Sequence, residues 1–199
     1  MYLFSVELNR IINKIFCMLK ENIMVRVGLF EKVSFEQFKK DWLDTLPTSK
    51  TQWPDEELKE LYDRIELPKR ATKGSCGYDF KTYFDFNLAP NQTIKFPSGI
   101  KVKISDDWFL GIVPRSSVGF KYRVQLDNTI GIIDADYYNN EKNEGDIFVK
   151  LTNDGKGDKV MSLTIGEGFA QGIFIPYGIT EDDNVSDIRV GGIGSTNAQ

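Results

Sequence analysis

The chain has 199 residues, of which 41% are hydrophobic, and this is enough for one well-cored domain with an extension. Its net charge of −4 argues against a nucleic-acid binder, because affinity for a polyanion depends mainly on Lys and Arg side chains that neutralise phosphates. The sequence contains no histidine, which excludes His-based catalytic triads and His metal sites.

The first segment, residues 1–23, is apolar but is interrupted by charges. Its sequence, MYLFSVELNRIINKIFCMLKENI, has no run of about 18 uncharged residues and so predicts no membrane span. It is interpreted either as an amphipathic helix or as a non-native leader, in which case Met24 is the natural first residue. Two thiols far apart in sequence, Cys17 and Cys76, suit a reducing compartment, and we expect a cytoplasmic protein.

Residues 24–66 predict a helical extension made of two short amphipathic helices. Ser34 is a candidate N-cap for the first helix, and Pro54 opens the second. Apolar residues share one face of each helix: Phe35, Phe38, Trp42 and Leu46 in the first, and Leu58, Leu61, Tyr62 and Ile65 in the second. Such a stripe is more often core than a ligand site. A protein partner could also bind through this extension.

Residues 67–183 predict an all-β body. The segments TIKFPSGIKVKI, WFLGIVP, YRVQL, DIFVKLTN and GFAQGIFIPY are short, rich in β-branched and aromatic residues, and bounded by turn residues. Because no helical pattern separates them, a barrel or jelly roll is favoured over a parallel sheet. Residues 184–199, which include RVGGIGSTNAQ, have too little apolar content to be core and predict a flexible arm.

The stretch GIIDADYY, residues 131–138, places two acids behind an aliphatic run. If it is a strand, Asp134 and Asp136 share one face while Ile133 and Ala135 share the other. Burial beside aliphatic surface would raise the pKa of an aspartate and make it a better proton acceptor. The alternative is a strand that simply ends in a turn, where Asp is common.

Three further segments suit phosphate binding. PRSSVG, residues 114–119, supplies a guanidinium, two hydroxyls and a turn of backbone N–H groups. GFAQG, residues 168–172, adds an amide, and RVGGIGST, residues 189–196, adds an arginine and glycines that let the backbone approach a ligand. Each segment is a weak signal alone, and their order and spacing carry the information.

In this order, GYDF, PRSSVG, NTIGIIDADYY, GFAQG and RVGGIGST resemble the five motifs of the trimeric deoxyuridine triphosphatase (dUTPase) family, over about two thirds of the chain. The resemblance implies a jelly-roll-like distorted β-barrel with a short α-helical N-terminal extension. It also implies that dUTP is hydrolysed to dUMP and pyrophosphate with Mg²⁺. The family forms a homotrimer whose three sites lie between subunits.

The resemblance further implies a role for each motif residue near the nucleoside. Asp134 would orient and deprotonate the water that attacks the α-phosphorus, as the general base. Tyr137 would pack against the deoxyribose and exclude a 2′-hydroxyl. Asn128 and the backbone of Ile132, Ile133 and Asp134, all placed on one hairpin, would read uracil.

The remaining motif residues are implied to hold the triphosphate and the metal. Asp79 would meet hydrated Mg²⁺ through water, an arrangement that suits this ion. The residues implied to bind phosphates or to close over the nucleotide are Arg115, Ser116, Ser117 and Gln171 in the body and Arg189, Ile193, Gly194 and Ser195 in the arm.

The chain departs from the family pattern at three places. The glycine expected soon after Tyr137 is Gly145, so residues 139–144 form an inserted loop, which we expect at the surface because it is polar and Asn-rich. Gly168 stands where the fourth motif usually has an arginine. Ile193 stands where the fifth motif usually has an aromatic residue that stacks on uracil.

Two alternatives remain beside dUTP hydrolysis. A dCTP deaminase relative would use a glutamate in a strand resembling LELSN, where this chain has Lys150 in VKLTN. A nucleotide-sensing regulator with weak or no catalysis would fit Ile193, the inserted loop and the helical extension.

Overall fold

The computed structural model describes residues 25–45 and 53–186. The predicted leader, Leu46 of the first apolar stripe and four arm residues lie outside the described residues. Those four are Arg189, Ile193, Gly194 and Ser195.

The described residues form twelve strands and three α-helices. The strands are β1 Gly28–Lys32, β2 Lys69–Arg70, β3 Tyr78–Lys81, β4 Phe86–Leu88, β5 Thr93–Pro97, β6 Ile100–Ile104, β7 Trp108–Pro114, β8 Val124–Leu126, β9 Gly131–Ile133, β10 Phe148–Asn153, β11 Met161–Leu163 and β12 Gly168–Pro176. The helices are α1 Phe35–Thr45, α2 Asp55–Arg64 and α3 Ser116–Tyr122. The all-β prediction with a helical N-terminal extension is confirmed.

The strands are arranged in four antiparallel sheets. The largest has the order β2-β3-β12-β7-β9, a second has the order β5-β10-β8, and two pairs join β1 with β6 and β4 with β11. In the five-stranded sheet, β12 pairs with β7 over seven residue pairs, from Ala170 opposite Pro114 to Pro176 opposite Trp108. Across residues 25–45 and 53–186 the sheets stay open and form no closed barrel.

The helical extension packs onto the β body in one continuous hydrophobic core. Phe38 and Trp42 of α1 lie with their rings 5.6 and 5.8 Å from the ring of Tyr83, and the Tyr83 hydroxyl donates to the Pro97 carbonyl at 2.6 Å. Leu58 of α2 is completely buried. The apolar stripes are therefore core, as predicted for the described part of both helices.

The N-cap prediction for α1 is also confirmed. The Gln37 backbone N–H donates to the Ser34 side-chain hydroxyl at 3.2 Å, which satisfies one of the free donors in the first helical turn. The extension is not only helical, because β1 pairs along its whole length with β6 and buries Phe30. No membrane-spanning helix occurs among residues 25–45 and 53–186: none of their helices has the length and apolar character required.

Candidate functional site

A cavity of about 490 Å³ lies beside β8, β9 and β10, within the size range of small-molecule sites. Its walls include apolar side chains of the neighbouring strands, among them Ile112 and Val149. Five residues that the sequence assigned to the nucleoside end of the site line this one cavity: Asn128, Ile132, Ile133, Asp134 and Tyr137.

The segment that carries Asp134 is a short edge strand followed by a tight turn. Gly131–Ile133 pairs with Leu110–Ile112 of β7, and then Ala135–Tyr137 forms a 3-10 helix with Asp134 at its N-cap position. The Tyr137 backbone N–H donates to the Asp134 carbonyl at 3.2 Å. Asp134 is half-buried at the cavity.

This geometry corrects two sequence expectations. Asp136 does not share a strand face with Asp134, because the strand ends at Ile133 and the three-residue turn of the 3-10 helix replaces strand alternation. Asp136 is exposed. The segment is also not a hairpin, since β8 pairs with β10 and β9 pairs with β7, so the turn at Asn128 connects two sheets.

Tyr137 is buried, and its hydroxyl is hydrogen-bonded to the inserted loop and to the residue that follows Gly145. Its hydroxyl donates to the Asp146 carbonyl at 2.9 Å and accepts from the Asn143 side-chain amide at 2.8 Å. Asn140 and Asn143 are each 8% exposed, so the prediction that residues 139–144 are a surface loop is wrong for these two. Their amides bond groups within the loop and around Tyr137, which makes burial of polar residues favourable.

Lys150 is a cavity residue that the sequence analysis did not assign to the site. Its ammonium group lies 2.6 Å from the Asp127 carboxylate, and both residues line the cavity. The hydrogen bond from Lys150 holds the pKa of Asp127 below its ordinary value. The signal was the VKLTN segment itself, in which Lys150 follows strand alternation and points away from buried Val149 and Leu151.

A second cluster gathers residues assigned to phosphates and metal. Asp79 on β3 is directly opposite Gln171 on β12, and the Arg115 guanidinium lies 3.3 Å from the Asp79 carboxylate. Asp79, Arg115 and Ser117 line a cavity of about 270 Å³, whose walls also include Lys121. Ser116 is exposed at the start of α3 and does not line it.

Two glycines make room for this cluster. A side-chain carbon at Gly168 would lie 2.5 Å from the Arg115 Nη1 atom, and one at Gly77 would lie 2.3 Å from the Gln171 Oε1 atom. Gly168, which departs from the family pattern, therefore leaves the space that Arg115 occupies. Gly77 is the first residue of the GYDF motif, and it leaves space for the Gln171 side chain from β12.

The two clusters are separate within one chain. Asp79 and Ile132 lie on β3 and β9, with β12 and β7 between them, so three strand spacings, or roughly 14 Å, separate them across the sheet. The two cavities share no lining residue.

Comparison with known proteins decides the family of this chain. Residues 63–197 match the family model described as dUTPase, which covers more than half of the sequence. The chain belongs to the dUTPase family. All five motifs identified in the sequence lie within the matched residues, whereas β1 and α1 of the extension precede them.

Individual members of the dUTPase family show the same similarity. The chain is 36% identical over 136 residues to the deoxyuridine 5′-triphosphate nucleotidohydrolase of Lactococcus lactis, covering 67% of this chain and 89% of that protein. It is 34% identical over 145 residues to the corresponding Photorhabdus laumondii protein, covering 69% and 90%. A dUTPase crystal structure from Streptococcus mutans superposes with a TM-score of 0.55 at 29% identity, covering 76% of this chain and 98% of that chain.

Proposed function

We infer that the chain hydrolyses dUTP to dUMP and pyrophosphate, with the nucleoside in the cavity of about 490 Å³ beside β9 and the triphosphate at the Asp79–Arg115 cluster. The observation that carries this inference is that one cavity collects every described residue that the motifs assigned to uracil, sugar and attacking water. The relatives named as deoxyuridine triphosphate nucleotidohydrolases support the same substrate.

Asp134 is the general base in this proposal. Its half-buried carboxylate lies at the cavity, just after the aliphatic strand β9, where it can accept a proton from a positioned water. The water attacks the α-phosphorus, the bond between the α-phosphorus and the bridging oxygen breaks, and pyrophosphate leaves with that oxygen. A positioned base at this point typically contributes about 10²- to 10⁴-fold in rate.

Uracil and deoxyribose are recognised by the segment around β9. Because β9 is the edge strand of the five-stranded sheet, one side of its backbone faces away from β7 and can hydrogen-bond a base. Asn128 lies in the turn before β9, lines the same cavity, and in the proposal also reads uracil. The Tyr137 ring forms a wall of the cavity, and in the proposal it packs against the sugar and leaves no room for a 2′-hydroxyl.

The triphosphate is bound by the second cluster together with the arm. Arg115, Ser116, Ser117 and Gln171 are the phosphate-binding residues of the body. By their motif, Arg189, Ile193, Gly194 and Ser195 of the arm close over the nucleotide and exclude water.

Asp79 is the residue that would hold hydrated Mg²⁺ through water. Its half-buried carboxylate faces the same small cavity as Ser117. The described residues contain no cluster of three or more acidic or sulfur ligands, and this donor set suits an ion that keeps its waters and takes further oxygens from phosphate. When bound, Mg²⁺ neutralises negative charge on the triphosphate.

A homotrimer with shared sites accounts for the separation of the two clusters. Asp134 lines the cavity of about 490 Å³ and Arg115 lines the cavity of about 270 Å³, and neither of these two cavities contains both residues. A neighbouring subunit would bring its own phosphate cluster to the nucleoside cavity, so that each complete site lies between two chains.

Pyrophosphate release from dUTP, dCTP and UTP, with and without Mg²⁺, tests the function. We expect Mg²⁺-dependent release from dUTP, and dCTP should release neither pyrophosphate nor ammonia, since Lys150 stands where a deaminase needs a glutamate. Asp134→Asn should lower turnover about 10²- to 10⁴-fold while dUTP still binds. Asp136→Asn is the matched control, and turnover of Asp134→Asn within a few-fold of the parent would exclude Asp134 as the base.

A further inference from the structure

The N-terminal extension is hydrogen-bonded to the inserted loop, which contacts Tyr137 in the wall of the 490 Å³ cavity, hereafter the nucleoside cavity. The backbone N–H and side-chain hydroxyl of Ser34 donate to the two carboxylate oxygens of Glu144 at 2.9 and 2.5 Å. The Lys40 ammonium donates to the Lys142 carbonyl at 3.3 Å, and the Tyr138 hydroxyl donates to the Glu31 carboxylate. These contacts join residues more than 100 positions apart, and they come from residues 31–40, which precede the family match.

Two buried carboxyl groups, Asp41 and Asp146, are neighbours where α1 meets the segment after the inserted loop. Asp41 of α1 is 4% exposed and Asp146, at the end of the loop, is fully buried. Within the part of the chain that the structure describes, neither Oδ2 atom has a hydrogen-bond partner. Burial, and then the neighbouring Asp41 carboxylate, raises the pKa of Asp146 well above its ordinary value.

The loop in turn holds the Tyr137 ring. The Asn143 amide nitrogen donates to the Tyr137 hydroxyl at 2.8 Å and to the Asp146 carbonyl at 3.1 Å. The Asn140 amide donates to the Tyr137 carbonyl at 2.9 Å. Contacts therefore run without interruption from α1, through the loop, to the wall of the cavity that the proposed function assigns to the sugar.

We propose that the helical extension and residues 139–146 form one device that positions the Tyr137 ring, with Asn143 as its positioning residue. This inference rests on the proposed function, because Tyr137 is there the wall that excludes a 2′-hydroxyl. If the ring moves outward, the cavity admits a ribose, and the preference for dUTP over UTP falls. An apolar pocket discriminates against an added hydroxyl by about 10²-fold, so loss of positioning should lower the preference roughly ten-fold.

A double-mutant cycle tests the link between Asn143 and the Tyr137 hydroxyl. The kcat/KM ratio for dUTP over UTP is measured in the parent, Asn143→Ala, Tyr137→Phe and the double variant. Asn143→Ala should lower the ratio roughly ten-fold in the parent but by less than two-fold in the Tyr137→Phe background, because the hydroxyl through which it acts is absent. An unchanged ratio in Asn143→Ala, or equal effects in both backgrounds, would overturn the role of Asn143.

The extension has its own test. Glu144→Ala removes both bonds to Ser34 and the 3.4 Å ion pair with Lys101, and it should lower the dUTP preference several-fold. Glu144→Gln loses the charge that pairs with Lys101 but can still bond Ser34, and it should restore most of the preference. Lys39→Ala is the matched control. Lys39 lies on α1, but its ammonium group pairs with the Asp55 carboxylate of α2 at 2.6 Å rather than with the inserted loop. Equal preference in Glu144→Ala and Lys39→Ala would contradict the proposal.

Failure of the inference can be separated from failure of the proposed function. A parent that releases no pyrophosphate from dUTP contradicts the function. In that case amide hydrogen exchange decides the inference, since residues 137–146 should exchange faster in Glu144→Ala than in Lys39→Ala. Equal exchange in the two variants would show that the extension does not hold the loop.

Discussion

Replacing Gly168 with alanine tests whether the position of Arg115 depends on the absence of a side chain. The new carbon would lie 2.5 Å from Arg115 Nη1 and 2.8 Å from its Cδ atom. Gly168 does not have a left-handed backbone conformation, so alanine adds no backbone strain. The flexible arginine side chain, rather than the backbone, must therefore move.

The size of the effect follows from that displacement. Ordinary van der Waals contact begins near 3.4 Å, so Nη1 must move by 3.4 − 2.5, or about 0.9 Å. A misplacement of about 1 Å can lower a rate about 10²-fold. Loss of a hydrogen bond to a charged group, worth about 1.5–3 kcal/mol, corresponds to roughly 10- to 150-fold. Together the two routes predict that kcat/KM for dUTP falls roughly 10- to 150-fold.

The stability of the fold should change little. The Arg115–Asp79 pair is partly exposed, with side-chain exposures of 39% and 20%, and such pairs contribute about 0–1 kcal/mol. Steady-state pyrophosphate release and thermal unfolding are measured on the parent, Gly168→Ala and Gly74→Ala. Gly74 is the matched control because an added carbon there meets nothing within 4 Å. A kcat/KM for Gly168→Ala within three-fold of the parent would refute the reasoning.

Three other predictions follow from the site and the core. Burial, and then the neighbouring Asp41 carboxylate, raises the pKa of Asp146 well above 3.8, so the folded chain keeps a proton that the unfolded chain releases as pH rises above about 4. The stability from this group is thus complete at acid pH and falls with rising pH by up to about 1.4 kcal/mol per unit. Asp146→Asn should remove this loss of stability. In urea unfolding from pH 5 to 8, the free energy of unfolding of the variant should therefore rise relative to that of the parent. A difference between variant and parent that stays constant with pH would contradict this. Light scattering should give about three times the 22.7 kDa chain mass, and an active monomer would disprove shared sites. Ile193→Phe should raise kcat/KM for dUTP about five-fold, because stacking on a base is worth at least about 1 kcal/mol, and an unchanged value would show that this residue does not cover uracil.

The sequence by itself determined the features that depend on neighbours a few positions away. Short segments rich in β-branched and aromatic residues predicted β5, β6, β7, β8, β10 and β12, and the apolar spacing of α1 and α2 predicted which helix face is core. The Ser34 cap was predictable because its hydrogen bond spans only three residues. The motif order identified the family, and it also indicated which residues would meet at the nucleoside cavity.

Only the tertiary structure decided the features whose partners are remote in the chain. Asn140 and Asn143 look like surface residues until their hydrogen bonds around Tyr137 are known. The role of Gly168 is visible only beside Arg115, which lies more than 50 positions earlier, just before α3. The contact between Ser34 and Glu144 joins residues 110 positions apart, so no local pattern encodes it. Burial and close packing place such groups together, and the polar ones remain buried because they then satisfy each other's hydrogen bonds.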